Sequence, residues 1–156
     1  MKRIMLIAAS VMLATQVHAE GDIAAGKKAF GKCKSCHTIA TPEGEVLVKG
    51  GRTGPNLYGV IGNTAGSAEF KYTKSFKALN EAGLVWDEAA VASFVTDPRG
   101  FLKEQGTDGK TRMTFKLKKG GADVAAYLES LGPIVEESAE PLPVEAPAPE
   151  AATDTN

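Results

Sequence analysis

The chain is short of the side chains that bind metals and of large rings. In 156 residues it has two cysteines, two histidines, four methionines and one tryptophan. Met1, Met5, Met12 and His18 lie in the first 19 residues, so the remainder holds one histidine, His37, and one methionine, Met113. A structural zinc site needs four ligands, and Cys33, Cys36 and His37 supply three. A zinc site built from cysteine and histidine alone is therefore excluded. No run shows sustained period-two alternation, which excludes an extensive half-buried sheet. No internal repeat is present. No apolar run reaches the roughly 20 residues of a membrane span.

The longest apolar run is Ile4 to Val17, behind Lys2 and Arg3 and before Val17-His18-Ala19. A positive start, a short apolar core and small residues at the end form a secretory signal peptide. Residues 1–19 are expected to be removed on export to the periplasm. The opposite end, residues 133–156, has five prolines and six acidic residues but no basic and no aromatic residue. Such a segment buries too little apolar surface to offset its ordering entropy, so it is expected to be a disordered acidic tail. Between them, residues 20–132 form one domain with 16 basic and 13 acidic residues. The near-neutral total hides a mildly basic domain on an acidic tether.

The domain has a helical pattern. Asp22 can cap a helix through Ile23, Gly26 and Phe30 up to the cysteines. Residues 41–66, rich in Gly, Thr, Asn and Pro, are expected to be loop. A short helix is expected over 74–80. Asp87 can cap another through Val91, Phe94 and Val95, ended by Asp97-Pro98. Residues 99–120 look irregular. A last helix is expected over 121–131, with Val124, Tyr127, Leu128 and Leu131 in one stripe. Four short helices and two long loops make a poor core by themselves. A large flat apolar cofactor at the centre would give the loops a surface to pack on.

The two cysteines fall together in "CKSCH", residues 33–37. A redox Cys-x-x-Cys belongs to a strand-to-helix context, whereas this one follows a helix. Cys-x-x-Cys-His is the haem c attachment signature. Each thiol adds to one vinyl group of the haem, and His37 stands ready as axial ligand. The second axial ligand follows by elimination: both cysteines are used, no other histidine remains after residue 19, and Met113 is the one methionine left. His/Met ligation is an established arrangement of c-type haem, in which the thioether raises the potential.

With "GDIAAGKKAF", "CKSCH", "TGPNLYGVIG", "FKYTKSF", "LVW", "TDP", "TRMTFK" and "DVAAYL" in this order, residues 21–132 resemble the class I c-type cytochromes. They are similar to mitochondrial cytochrome c and most similar to the bacterial cytochrome c2 type. The resemblance implies an all-α fold of short helices and long loops around one covalently bound haem c. It implies that Gly26 and Phe30 cross the last helix at Val124 and Tyr127. It gives Pro55 as the residue whose carbonyl accepts from the ligand histidine, Tyr72 and Trp86 as donors to a haem propionate, and Thr111 and Phe115 as flanks of the methionine. Three features depart from mitochondrial members. Asn63 replaces an arginine near a propionate, Phe94 replaces a tyrosine near the sulfur, and the stretches Thr41–Arg52 and Pro98–Met113 are longer.

With both axial positions filled by protein, no substrate reaches the iron. The resemblance then implies a soluble, monomeric periplasmic carrier of single electrons, without turnover of its own. Its partners would be membrane complexes: a quinol-oxidising cytochrome bc complex as donor, and a terminal oxidase or photosynthetic reaction centre as acceptor. Lys32, Lys34, Arg112, Lys116, Lys118 and Lys119 are expected to ring the haem edge and face acidic partners. No nucleic-acid partner is expected. The competing readings are a peroxidase or nitrite-reductase module and a gas sensor. Both need an open sixth position with a polar distal group, and the stretch around Met113 offers Thr111 and Thr114 but no histidine.

Overall fold

The computed structural model describes residues 21–133. The expected signal peptide and the tail beyond Pro133 lie outside the described residues. Five helices and one two-stranded hairpin follow in the order α1 Ile23–Phe30, β1 Ile39–Ala40, β2 Val46–Val48, α2 Lys74–Glu81, α3 Glu88–Thr96, α4 Pro98–Glu104 and α5 Gly121–Glu129. No helix among the described residues is long and apolar enough to cross a membrane.

Side-chain caps start α1 and α3. The Asp22 carboxylate accepts from the Ala25 N–H at 2.9 Å, and Asp87 accepts from Ala90 at 2.6 Å, each satisfying an orphan donor of a first turn. α1 then crosses α5. A methyl group at Gly26 would overlap the Asp123 carbonyl and lie 2.8 Å from Tyr127 Cβ, so only glycine lets the two backbones touch. Phe30 closes the crossing against Tyr127, with ring centroids 5.5 Å apart. α3 packs on the other side of α5, where Val91 and Val95 share a core with Val124 and Leu128.

Three expectations need correction. Residues 99–120 are not irregular throughout, because α4 occupies Pro98–Glu104. Asp97 ends α3 and caps α4, accepting from Gly100 N–H at 3.2 Å. Pro98 stops one helix and opens the next, since a first helical position has no use for its missing N–H. Residues 41–66 are not all loop either. Ile39 pairs with Val48 and Ala40 with Val46 in an antiparallel ladder, reinforced by the Thr38 hydroxyl donating to the Val48 carbonyl at 3.0 Å. Two- and three-residue strands are too short to write an alternation. The last helix also stops at Glu129, with Ser130 and Leu131 in the turn that follows.

A chain of rings links the helices. Trp86 stacks on Phe101 at 5.4 Å and tilts against Phe94 at 5.3 Å; Phe76 meets Phe94 edge-on at 5.5 Å and continues to Tyr72 at 5.3 Å. These contacts join α2, α3 and α4, and Tyr72, Phe76, Trp86 and Phe94 line the central cavity.

Candidate haem site

After α1 the backbone continues as tight turns. Cys33 N–H donates to Phe30 at 2.8 Å, and Cys36 and His37 both donate to the Cys33 carbonyl at 3.0 Å. The following loop folds back on the motif: Gly51 N–H reaches Lys34 at 2.9 Å and Gly54 N–H reaches Cys36 at 2.8 Å. The two cysteines and His37 thereby line the same cavity, of about 520 Å³.

All eight residues singled out in the sequence line that cavity: Cys33, Cys36, His37, Pro55, Tyr72, Trp86, Thr111 and Met113. His37 and Met113 are 76 residues apart in the chain, so the fold, not local sequence, brings imidazole and thioether to one space. His37 Nδ1 lies 2.8 Å from the Pro55 carbonyl. A carbonyl can only accept, so Nδ1 carries the proton and Nε2 keeps its lone pair. Burial holds the His37 pKa below its usual value, opposed by this hydrogen bond. The ring is thus neutral and in the tautomer a metal needs. Gly54 lies against the ring: a Cβ there would sit 2.7 Å from Nδ1. The Thr111 hydroxyl, also on the cavity lining, accepts from the Met113 N–H at 3.0 Å.

The thiols differ. Cys33 is half-buried, and burial, then the neighbouring Cys36, push its pKa up to about 11 against the pull of Lys32. Cys36 is exposed, and hydrogen bonds from the Thr53 and Ser35 side chains lower its pKa. Among the described residues no three His, Cys, Asp or Glu side chains converge on one point as metal ligands. Two thiols, a neutral imidazole and a thioether around an apolar space with Trp86, Phe94 and Phe76 in its wall suit a flat tetrapyrrole, not a bare ion.

Two expected positions behave differently from their neighbours. Asn63 lines the cavity and donates through Nδ2 to the Gly59 carbonyl at 2.5 Å. Of the basic residues, Lys32 and Arg112 line the cavity, and Lys116, Lys118 and Lys119 lie around Phe115, which is 42% exposed. Lys116 also pairs with Asp97 at 2.7 Å, so its charge is not free. Gly54 and Thr53 escaped sequence reasoning, because their partners are ring and sulfur atoms that only the fold brings near. Asn56 escaped it too. Its amide both accepts from Ala40 N–H at 3.0 Å and donates to the Ala40 carbonyl at 2.7 Å, pinning the hairpin to the loop that carries Pro55.

No family model matches the chain. Cytochrome c-551 of Roseobacter denitrificans is 54% identical over 128 residues, covering 81% of this chain and 92% of the relative. Cytochrome c2 of Rhodobacter capsulatus is 54% identical over 126 residues, covering 79% and 91%. Among solved structures, that of Rhodobacter capsulatus cytochrome c2 superimposes with a TM-score of 0.69 at 57% identity, over 70% of this chain and 97% of the other. Ferric cytochrome c-550 of Paracoccus versutus gives 0.69 at 49% identity, over 73% and 100%. With its helices, its Cys-x-x-Cys-His turn and these relatives in agreement, the chain belongs to the cytochrome c2 group of class I c-type cytochromes, electron-transfer proteins that carry one covalent haem c.

Proposed function

We propose that the protein is an exported one-electron carrier whose haem c is bound through Cys33 and Cys36 and ligated by His37 and Met113. The observation that carries this reading is the meeting of His37 and Met113 at one apolar cavity beside both thiols. The haem supplies a Fe(III)/Fe(II) couple when bound. The chain's own residues do the rest. The Pro55 carbonyl fixes the imidazole tautomer and orientation. Thr111 ties down the backbone of Met113. Tyr72 and Trp86 stand on the wall as donors for a propionate, and burial raises the Tyr72 pKa so that it keeps its proton. The ring cluster excludes water and lowers the local dielectric, a setting that tunes potential.

The periplasm is the compartment, given the basic-then-apolar start of the sequence. Donor and acceptor are a quinol-oxidising cytochrome bc complex and a terminal oxidase or photosynthetic reaction centre, met through Lys32, Lys34, Arg112, Lys118 and Lys119, with Lys116 partly neutralised. The protein acts as a soluble monomer. The mature domain is residues 20–132, with residues 133–156 as an acidic tail.

The test is the spectrum of the oxidised protein purified from the periplasm. A weak near-infrared sulfur-to-iron band is expected, lost in Met113→Ala, which should keep its haem, bind CO when reduced and show a lower potential. A wild-type protein that lacks the band or binds CO readily at neutral pH would support the enzyme or sensor reading instead.

A further inference from the structure

Met113 lies in a stretch without regular structure between α4 and α5. Downstream it is fixed where Leu117 N–H donates to the Val95 carbonyl at 2.8 Å. Upstream, two hydroxyls from the start of α2 reach across. Ser75 Oγ donates to Asp108 Oδ1 at 2.5 Å, over 33 residues of sequence. Thr73 Oγ1 donates to the Lys110 carbonyl at 2.8 Å, over 37 residues.

Both hydroxyls are unusual. Thr73 occupies the N-cap of α2 but makes no capping bond with its side chain, although capping is the ordinary use of a threonine there. Its hydroxyl serves Lys110 instead. Ser75 is 2% exposed and is the one buried residue of polar type among the described residues. A buried hydroxyl needs a partner, and Asp108 is the partner it has. The same Asp108 oxygen accepts from Lys110 N–H at 3.0 Å, and its second oxygen pairs with Lys110 Nζ at 3.3 Å. The carboxylate therefore closes a turn and anchors that turn to α2 in one place. Three residues later comes Met113, whose N–H donates to the Thr111 hydroxyl and whose side chain packs at the edge of the core.

We propose that Thr73 and Ser75 form a latch on the Lys110–Asp108 turn, and that this latch sets how readily Met113 leaves the cavity. Thr73, Ser75 and Asp108 are then positioning residues for the thioether. The inference rests on the reading of Met113 as axial ligand. A competing ligand occupies that position only after the thioether has moved away, so its apparent affinity scales with the fraction of molecules in which the segment is open. Breaking the latch raises that fraction.

The experiment is an imidazole titration of the oxidised full-length holoprotein, followed in the visible spectrum. Ser75→Ala, Asp108→Ala and Thr73→Val should each bind imidazole at least about fivefold more tightly than wild type. Asp108→Asn keeps an oxygen that accepts from Ser75 and should stay within about twofold, as should Lys110→Ala, which removes the ion pair but not the carbonyl. If the three latch variants lose stability toward urea yet bind imidazole as wild type does, the role is merely structural and the latch is overturned. Should Ser75→Ala fail to fold, Asp108→Ala and Thr73→Val decide the question. The near-infrared band of the wild type separates the two levels. Its absence sinks the ligand reading itself, whereas its presence with unshifted affinities sinks the latch alone.

Discussion

His37 Nδ1 and the Pro55 carbonyl oxygen stand 2.8 Å apart across 18 residues of chain. One bond to a backbone acceptor settles three properties of the ring: which nitrogen is protonated, which is free, and how the plane is turned. The bond persists because the Gly54 backbone passes against the ring face, where a Cβ would lie 2.7 Å from Nδ1. Hydrogen bond and close approach come from adjacent residues, so they stand or fall together.

Gly54→Ala should therefore destabilise the holoprotein more than an ordinary surface change. The added methyl must displace the imidazole or the loop, and overpacking of this kind costs about 1–3 kcal/mol. The measurement is a urea titration of oxidised wild type and variant, with the near-infrared band recorded alongside. A variant with wild-type midpoint and band would show that the loop yields freely and that the packing on His37 is incidental.

The residues of the candidate site were more legible than the fold around it. Cys33, Cys36 and His37 stand out by their fixed local spacing, Met113 was left by elimination after residue 19, and all four line one cavity. α1 and α3 were legible from Asp22 and Asp87, whose carboxylates do cap them. α4 was not, because Asp97-Pro98 ends one helix and the same proline also opens the next. The hairpin was missed because Ile39 and Ala40 are too few to show a period. The bond from Ser75 to Asp108 spans 33 residues and leaves no local mark in either segment. Nor does the ion pair of Lys116 with Asp97, which turns an expected docking charge into a partly internal one.

Acid should weaken the segment before Met113 in a narrow window. The Asp108 pKa is lowered to about 2, first by the Ser75 hydroxyl, then by the Lys110 N–H, with the Lys110 ammonium adding to both. A carboxylate depressed in the folded state contributes stability above its unfolded pKa of about 3.9 and loses it as pH falls through the folded value. Stability from Asp108 should thus be complete at pH 5 and fade between about pH 4 and pH 2. Urea midpoints of wild type and Asp108→Asn across that range provide the check. The wild-type advantage should shrink as pH falls; an advantage that is constant from pH 5 to pH 2 would mean that Asp108 is not held down by these partners.

The docking face can be tested with the Lys116 pair taken into account. Lys32 and Arg112 lie at the cavity, and Lys118 and Lys119 flank the exposed ring of Phe115. A basic ring around an apolar contact would steer the domain onto acidic membrane complexes and fix its orientation on arrival. Reversing Lys116 would also place a carboxylate beside Asp97, so a loss of rate there would mix docking with stability. Lys32→Glu combined with Lys118→Glu avoids this. In stopped-flow electron transfer to an acidic partner complex, the double variant should be slower by about tenfold at low salt. Its dependence on ionic strength should also be flatter, because the attraction being screened has been removed. Near 0.1 M salt, where screening acts beyond roughly 10 Å, the gap should narrow. Lys27→Glu with Lys28→Glu is the control, since these α1 residues do not line the cavity and should change the rate much less. Removal of residues 133–156, which include six acidic residues, should leave the rate unchanged or make it slightly faster at low salt. If the first pair leaves the low-salt rate untouched, partners meet a different face and these lysines are ordinary surface.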